Sequence, residues 1–215
     1  MRPNKKIQGL QLLLLALLLL WQGTAAWATD PQAAMQETVE NVLEILTDPA
    51  LAGDAHWQER RERVSQEVAK RFNFTKMAQS ALARAWHDRS AAEKEEFVTL
   101  FKELLKDAYV DRLKTYSDGN YKVIFDKVLV RGTRAVVSSL VIQQEQEISA
   151  AYKMYQEGDD WFVYDVVVEG VSLVSNYRSQ FGSIIQKDGY EELVRRLEKK
   201  LAEPRNSENP NGELS

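Results

Sequence analysis

The chain has 215 residues, of which 44% are hydrophobic and 28% charged, and it carries a formal net charge of −4. This composition is typical of a globular protein and excludes a disordered, collagenous or disulfide-stapled chain. A sequence pI near 5.4 also excludes a strongly basic nucleic-acid-binding protein. Because the sequence contains no cysteine, disulfides, thiolate chemistry, iron–sulfur clusters and lipidated cysteine anchors are excluded as well.

Residues 1–28 have the pattern of a secretory signal peptide. A basic start over 1–6 precedes a leucine-rich run over 10–20 and an Ala-Trp-Ala end at 26–28. The alternative is an uncleaved anchor, although the run is shorter than the roughly 20 residues that a membrane-spanning helix needs. These 28 residues hold three basic side chains and no acidic ones, so cleavage leaves a net charge of −7. An exported chain without cysteine indicates the bacterial periplasm, and this charge suits a freely diffusing monomer.

In the first half of the chain, apolar side chains recur at helical spacing. They predict four helices: 31–47, a charged and mostly solvated stretch over 56–71, a short stretch over 72–85, and a long helix that begins after residue 90 and continues to Leu113. Ser90 and Glu93 form a capping box, in which each side chain satisfies a backbone N–H group of the other residue. The start of the long helix is therefore well defined by the sequence.

From residue 121 onward, the residues change to types that favour strands. Four stretches rich in Val, Ile, Tyr and Phe predict strands: Tyr121–Val130, Arg134–Gln143, Glu147–Gln156 and Asp160–Glu169. Their connections are too short for parallel crossovers, so they form an antiparallel meander. Helices follow over 171–187 and 189–202, and residues 204–215 read as a disordered tail. We predict an α+β fold, with a four-stranded antiparallel meander packed against several helices.

Candidates for catalysis are few. His56 and His87 have no second ligand at a metal-binding spacing, and Ser172 lacks the Gly-x-Ser-x-Gly frame of a nucleophile elbow. The glycines are scattered, so no phosphate-binding loop is indicated. We therefore predict no enzymatic activity and no cofactor. Two carboxylates brought together by the fold would not be visible in the sequence, so a small periplasmic enzyme stays open as an alternative.

The last predicted strand is apolar on both faces. With strict alternation, one face carries Phe162, Tyr164, Val166 and Val168 and the other carries Trp161, Val163 and Val167. Such a strand is covered on both sides or borders an apolar cavity. The pattern alone does not separate a filled core from a hollow one.

The stretch over 161–181, WFVYDVVVEGVSLVSNYRSQF, resembles the signature of the MlaC family, also called the toluene-tolerance family. Weaker similarity is present in 74–78, 96–109 and 189–197, so that the resemblance covers roughly residues 33–202. Members of this family are periplasmic phospholipid-binding proteins of the Mla lipid-transport pathway.

The resemblance implies that residues 29–203 form a lipid-binding domain whose helices and sheet enclose an apolar cavity for acyl chains. It further implies a carrier that moves phospholipid between an outer-membrane lipoprotein–porin complex and an inner-membrane ABC transporter with an MCE-domain subunit, and so maintains outer-membrane lipid asymmetry. Alternatives are a carrier of another lipid such as a hopanoid, or a non-catalytic periplasmic interaction module.

Six side chains on the apolar faces of the long helix and the last strand are the predicted cavity wall: Phe101, Leu105, Tyr109, Phe162, Tyr164 and Val166. Asp165 and Glu169 are predicted to pair with Arg178, either as a structural ion pair or as a head-group contact. The sequence departs from the family pattern at Ala83, where many relatives have glycine, and this affects the expected turn before Trp86.

Overall fold

The computed structural model of the protein describes residues 30–203, apart from residues 117, 118 and 144. The predicted signal peptide over 1–28 and the predicted tail over 204–215 lie outside the described residues. Within 30–203, no helix combines the length and the apolar character that crossing a membrane requires.

The described residues contain six α-helices: α1 Pro31–Thr47, α2 Trp57–Arg71, α3 Phe74–Leu82, α4 Ala91–Leu105, α5 Leu173–Asp188 and α6 Tyr190–Ala202. Side-chain caps define several of their starts. Asn73 accepts a hydrogen bond from the backbone N–H of Lys76, and Ser90 and Glu93 form the predicted capping box. The sequence-based helices are confirmed, with boundaries that differ by a few residues except at the end of the long helix.

The long helix predicted to reach Leu113 ends as an α-helix at Leu105. Lys106–Val110 forms a π-helical turn, and Asp111–Tyr116 forms a 3-10 helix. Two ion pairs join the π-helical turn to α2: Arg61 with Asp107, and Lys106 with Glu62. Tertiary contacts of this kind override a local periodic pattern. The prediction of a continuous α-helix is therefore wrong beyond Leu105.

The sheet is an antiparallel meander in the order β1-β2-β3-β4-β5: β1 Lys122–Arg131, β2 Arg134–Gln143, β3 Gln146–Glu157, β4 Asp160–Val168 and β5 Val171–Ser172. The predicted meander is confirmed, but a fifth, two-residue strand was not predicted. Glu169 and Gly170 have φ values of 49° and 78°, so they form a tight turn that folds β5 back onto β4.

A β-bulge in β4 changes which residues share a face. Lys153 of β3 lies opposite Asp165, whereas the next residue, Met154, lies opposite Val163, so Tyr164 is an extra residue in β4. An extra residue reverses the alternation of side chains along a strand. Residues on the two sides of Tyr164 therefore follow different alternation patterns.

The bulge corrects the predicted faces of β4. Val166 points to the inner face of the sheet, which packs against α1, whereas Phe162 and Tyr164 lie on the outer face beside Tyr155. Their ring centroids are 5.9 Å and 6.3 Å from that of Tyr155. The prediction that Phe162, Tyr164 and Val166 share one face is wrong, because it assumed an uninterrupted strand.

A tightly packed cluster, which we call the helical core, joins α3, α4, α5 and α6. Its centre consists of aromatic rings that α4 and α5 contribute: Phe97, Phe101, Tyr177 and Phe181. The Phe101 ring meets that of Tyr177 edge to face at 5.3 Å, and the Phe97 ring meets that of Phe181 at 5.6 Å. Edge-to-face pairs at these distances are favourable and fill space well.

Helix α1 lies across the inner face of the sheet, where Ala34 and Met35 belong to the same buried cluster as Val137 and Met154. Arg71, at the end of α2, holds these layers together. Its guanidinium donates to a side-chain oxygen of Asp160 at 2.5 Å, to the Trp161 carbonyl at 2.8 Å and to the Thr38 hydroxyl at 3.2 Å. These bonds join α1, α2 and the start of β4.

Candidate functional site

An apolar cavity of about 310 Å³ lies between α1, α2, the segment over 105–116 and the inner face of the sheet. This volume falls within the range of small-molecule sites, roughly 300–1,000 Å³. Helix α1 supplies one wall: Met35, Val39, Val42, Leu43 and Leu46. The strands supply the opposite wall: Val123, Val141, Tyr152, Val166 and Val168.

Local sequence explains both walls. The α1 residues follow one another at intervals of one, three or four positions, which places them on one side of a helix. Val166 and Val168 alternate with outward residues after the bulge in β4, as residues of a regular strand do. The cavity therefore lies where a helical stripe and a strand face meet without enough side-chain volume to fill the space between them.

Two hydroxyl groups in the wall are directed toward backbone carbonyls of the protein. The Thr38 hydroxyl donates to the Ala34 carbonyl at 3.1 Å, and the Ser65 hydroxyl donates to the Arg61 carbonyl at 2.9 Å. Burial raises the pKa of the Tyr152 phenol, which keeps it neutral. The wall consequently offers broad apolar contact and little that could hold a polar ligand in a fixed orientation.

The charged groups of the described lining are two lysines, Lys102 and Lys106, one helical turn apart. The ammonium of Lys106 pairs with Glu62 at 2.8 Å and lies 3.6 Å from Glu103. The hydrogen bond from Lys106 is the main reason that the pKa of Glu62 is lowered. The Lys102 ammonium lies 5.8 Å from the centre of the Phe74 ring. The charged groups that border the cavity are therefore lysines, and the carboxylates that partner Lys106 lie outside the lining.

The six residues predicted to line a cavity occupy three different places. Leu105, Tyr109 and Val166 line the cavity described above. Phe101 lies in the helical core, packed against aromatic rings. Phe162 and Tyr164 lie on the outer face of the sheet, next to Tyr155.

Sequence reasoning missed the contribution of α1 and of the first two strands. The apolar stripe of α1 was visible, but it reads the same whether a helix packs against a filled core or against an empty space. Val123 and Val141 likewise show only that one face of each strand is buried. No signal in the sequence marked these positions as cavity wall.

The predicted pairing of Asp165 and Glu169 with Arg178 is wrong. Asp165 is buried and accepts hydrogen bonds from Lys153 at 2.8 Å, from the Ser172 hydroxyl at 2.7 Å and from the Val174 N–H at 3.1 Å. Asp165 therefore joins the outer face of β4 to the start of α5.

Glu169 and Arg178 have other partners. The Glu169 carboxylate accepts from the backbone N–H and the hydroxyl of Ser149 across the sheet. The Arg178 guanidinium donates to the Ser80 carbonyl at 2.7 Å, which joins α5 to α3. Among the residues that the structure describes, no three His, Asp or Glu side chains come together in a way that could hold a metal ion.

Comparisons with known proteins agree with this architecture. The family model described as "MlaC protein" matches residues 36–199. A protein of Haemophilus influenzae named intermembrane phospholipid transport system binding protein MlaC is 22% identical over an alignment of 187 residues that covers 84% of this chain and 86% of that protein.

A solved structure is also similar. It is the phospholipid-binding protein of Ralstonia solanacearum in complex with a phospholipid, with a TM-score of 0.73 and 27% sequence identity. The match covers 81% of this chain and all of that one. Since the family model spans three quarters of the sequence, including the helices and strands that enclose the cavity, the chain belongs to the MlaC family.

Proposed function

We propose that the protein is a periplasmic carrier that holds the acyl chains of a phospholipid in the apolar cavity. The observation that carries this proposal is a cavity wall of mostly aliphatic and aromatic side chains, in which the Thr38 and Ser65 hydroxyl groups bond to backbone carbonyls. Support comes from the similar Ralstonia solanacearum protein, which was solved with a phospholipid, and from the Haemophilus influenzae relative named for intermembrane phospholipid transport.

The energetics of lipid transfer explain why such a cavity is useful. A two-chain lipid has about 30 methylene groups, and exposing each one to water costs about 0.8 kcal/mol, so unaided departure from a membrane costs on the order of 20–25 kcal/mol. A cavity lined largely by valine, leucine and methionine replaces part of the lost hydrocarbon contact. The carrier thereby lowers the barrier to crossing an aqueous compartment.

A carrier must also release what it binds. Each 1.4 kcal/mol of additional affinity slows or disfavours release about tenfold, so strong directional anchors would trap the lipid. The wall contains few such anchors, since Thr38 and Ser65 direct their hydroxyl groups to backbone carbonyls. Contact that is broad and non-directional suits a cargo that must enter and leave.

In this proposal the lipid head group lies on the side of the cavity that carries Lys102 and Lys106. An ammonium next to an apolar space complements an amphiphile with an anionic phosphate. Lys106 is already paired with Glu62 and Glu103, whereas Lys102 packs over the Phe74 ring. Lys102 is therefore the side chain that the head group would meet.

The complexes between which the lipid moves belong to the proposal as well. We propose delivery between an outer-membrane lipoprotein–porin complex and an inner-membrane ABC transporter with an MCE-domain subunit, in a chain exported by its signal peptide. This route would maintain the lipid asymmetry of the outer membrane.

The proposal is tested by placing a charge in the cavity wall. In a Leu105→Glu variant the carboxylate would be desolvated, so we expect co-purifying phospholipid to fall at least tenfold. Leu129→Glu is the matched control, because Leu129 is 49% exposed and does not line the cavity. Lipid is quantified by native mass spectrometry, and the fold is checked by circular dichroism.

A second variant tests the proposal in case Leu105→Glu does not fold. Val123→Glu changes the wall from the sheet side, on the edge strand β1. Unchanged phospholipid content in both folded variants, or no phospholipid in the wild-type protein, would contradict the proposal. If a hopanoid is extracted in place of phospholipid, the protein is still a lipid carrier, but its cargo is a different lipid.

A further inference from the structure

A second concavity, of about 510 Å³, lies outside the apolar cavity and shares no lining residue with it. Helix α3 separates the two. It directs Phe74 and Met77 to the apolar cavity, and Lys76, Gln79 and Ser80 to the second concavity. The remaining lining comes from the turn that follows α3, from the start of β2 and from Tyr164. We call this surface the basic concavity.

The basic concavity contains three permanently cationic side chains. Lys76, Arg84 and Arg134 line it together with His87, and no carboxylate is part of its described lining. In residues 30–203, none of the three cations lies within ion-pair distance of a described carboxylate. By contrast, Lys106, Lys153 and Arg196 elsewhere in the protein all do.

Aromatic rings hold two of these cations in place. The Arg134 guanidinium lies 4.8 Å from the centre of the Tyr164 ring, and the Lys76 ammonium lies 3.8 Å from that of Tyr155. A cation over a ring face is stabilised without being neutralised, and its N–H groups stay available to an anion. Tyr164, the extra residue of the β4 bulge, is thus the side chain on which Arg134 rests.

A cluster of like charges is unfavourable by itself, since each cation raises the electrostatic energy of the others. It is unusual in an acidic chain with 32 acidic and 28 basic residues, where carboxylates are plentiful. An anionic partner would remove this cost on binding. The arrangement therefore has the electrostatic character of a surface that binds an anionic partner.

Backbone strain occurs at the same place. Ala83 has φ 50° and ψ −118°, a conformation that residues with a Cβ rarely adopt, and it begins the 3-10 turn Ala83–Trp86. Such strain is unfavourable and occurs preferentially at functional sites. The turn places Arg84 and His87 in the basic concavity, so the strained backbone positions side chains that line this surface.

We propose that the basic concavity is a docking surface for acidic side chains of a partner protein. Its cations come from a helix, a turn and a strand, which suits several carboxylates on a folded surface better than one small anion. A membrane surface would be met by exposed apolar side chains, and the large ones that the structure exposes, Leu129, Val130 and Val171, do not line this concavity. The proposal goes beyond lipid binding and does not depend on the cargo.

The test uses the double variant Lys76→Glu/Arg84→Glu. Its matched control is Lys127→Glu/Lys187→Glu, which alters two exposed lysines outside the basic concavity and changes the net charge equally. A synthetic hexaglutamate peptide is titrated into isotopically labelled protein and followed by NMR. We expect peptide-induced shifts at the basic concavity, an affinity about tenfold weaker in the double variant, and an affinity near that of the wild type in the control.

Added salt should weaken peptide binding, because the contact is electrostatic. Equal loss in the two double variants, or shifts outside the basic concavity, would overturn the proposal. Binding of vesicles made of equal parts phosphatidylglycerol and phosphatidylcholine, with the same dependence on Lys76 and Arg84, would also overturn it. The basic concavity would then be a surface that binds membranes. Inorganic phosphate that reproduces the shifts at the same concentration would identify a small-anion site instead.

Two measurements keep the outcome independent of folding and of cargo. Arg84→Gln, on an exposed turn, removes one cation with little risk to the fold and should weaken the peptide affinity by a smaller factor. Co-purifying phospholipid should be unchanged in every variant of the basic concavity. Loss of lipid binding and loss of peptide binding are therefore separate results.

Discussion

The helical core and the apolar cavity are built from similar residues, yet one is filled and the other is hollow. In the helical core, the rings of Phe97, Phe101 and Phe181 are fully buried and lie 5.6–5.9 Å apart. In the cavity, mostly smaller aliphatic side chains face each other across about 310 Å³. Hydrophobic character thus explains why both regions are buried, whereas side-chain size and the spacing of the elements decide which is filled.

Polar contacts keep the cavity walls apart. Arg71 joins α2 to Asp160 at 2.5 Å and to Glu37 of α1 at 3.6 Å, while the π-helical turn is joined to α2 by ion pairs of Arg61 and Lys106. These groups fix the distances between the elements at the border of the cavity. A hollow interior would otherwise tend to collapse, because empty space loses dispersion contacts.

The largest expected effect comes from removing a ring of the helical core. Phe101→Ala leaves a void among rigid aromatic neighbours, so we expect the free energy of unfolding to fall by about 3–5 kcal/mol. Val168→Ala in the cavity wall enlarges a space that already exists and should cost less than about 1.5 kcal/mol. Urea denaturation of the lipid-free proteins measures both values, and equal losses would contradict the comparison.

Adding side-chain volume should change the free energy of unfolding in opposite directions in the two regions. Val141→Phe places a ring into the cavity, so we expect the lipid-free protein to gain about 0.5–2 kcal/mol of stability. Val174→Phe adds the same volume to the helical core, where overpacking should cost about 1–3 kcal/mol. Thermal unfolding of both variants gives the signs, and a destabilised Val141→Phe protein would indicate a cavity that is closed in solution.

A smaller effect on stability is expected at alkaline pH, and it comes from Tyr190 in the helical core. Burial, with Glu93 and Glu96 adding to it, raises the pKa of Tyr190 from 10.0 to about 12. The folded state therefore retains this proton where the unfolded state loses it. The stabilisation is complete below pH 10 and is lost as the pH rises toward about 12. Tyr190→Phe should reduce the alkaline fall in melting temperature, and an identical fall in both proteins would contradict this assignment.

Local signals in the sequence predicted the secondary structure well. The capping box of Ser90 and Glu93 lies within four consecutive residues, so it can be recognised without knowing the fold. The strands were equally visible, because their β-branched and aromatic residues are separated by short turns. The family resemblance then supplied the expectation of a cavity, which the residue pattern had left open.

The parts that sequence reasoning missed depend on contacts between distant residues. The bulge at Tyr164 depends on how β4 pairs with β3, and it moved Phe162 and Tyr164 away from the face of Val166. Arg178 bonds to Ser80, 98 residues earlier, and not to the nearby carboxylates. The π-helical turn after Leu105 similarly depends on its ion pairs with α2.

Strand β1, which supplies Val123 to the cavity wall, is also an edge of the sheet. Edge strands can recruit a strand from another copy and so start aggregation. Here the β1–β2 register shifts between Phe125 and Lys127, so Asp126 interrupts the regular edge, and Lys127 beside it is exposed. A charged, irregular edge is a poor template for strand addition. We therefore expect separate copies to resist joining into extended sheets even at high concentration.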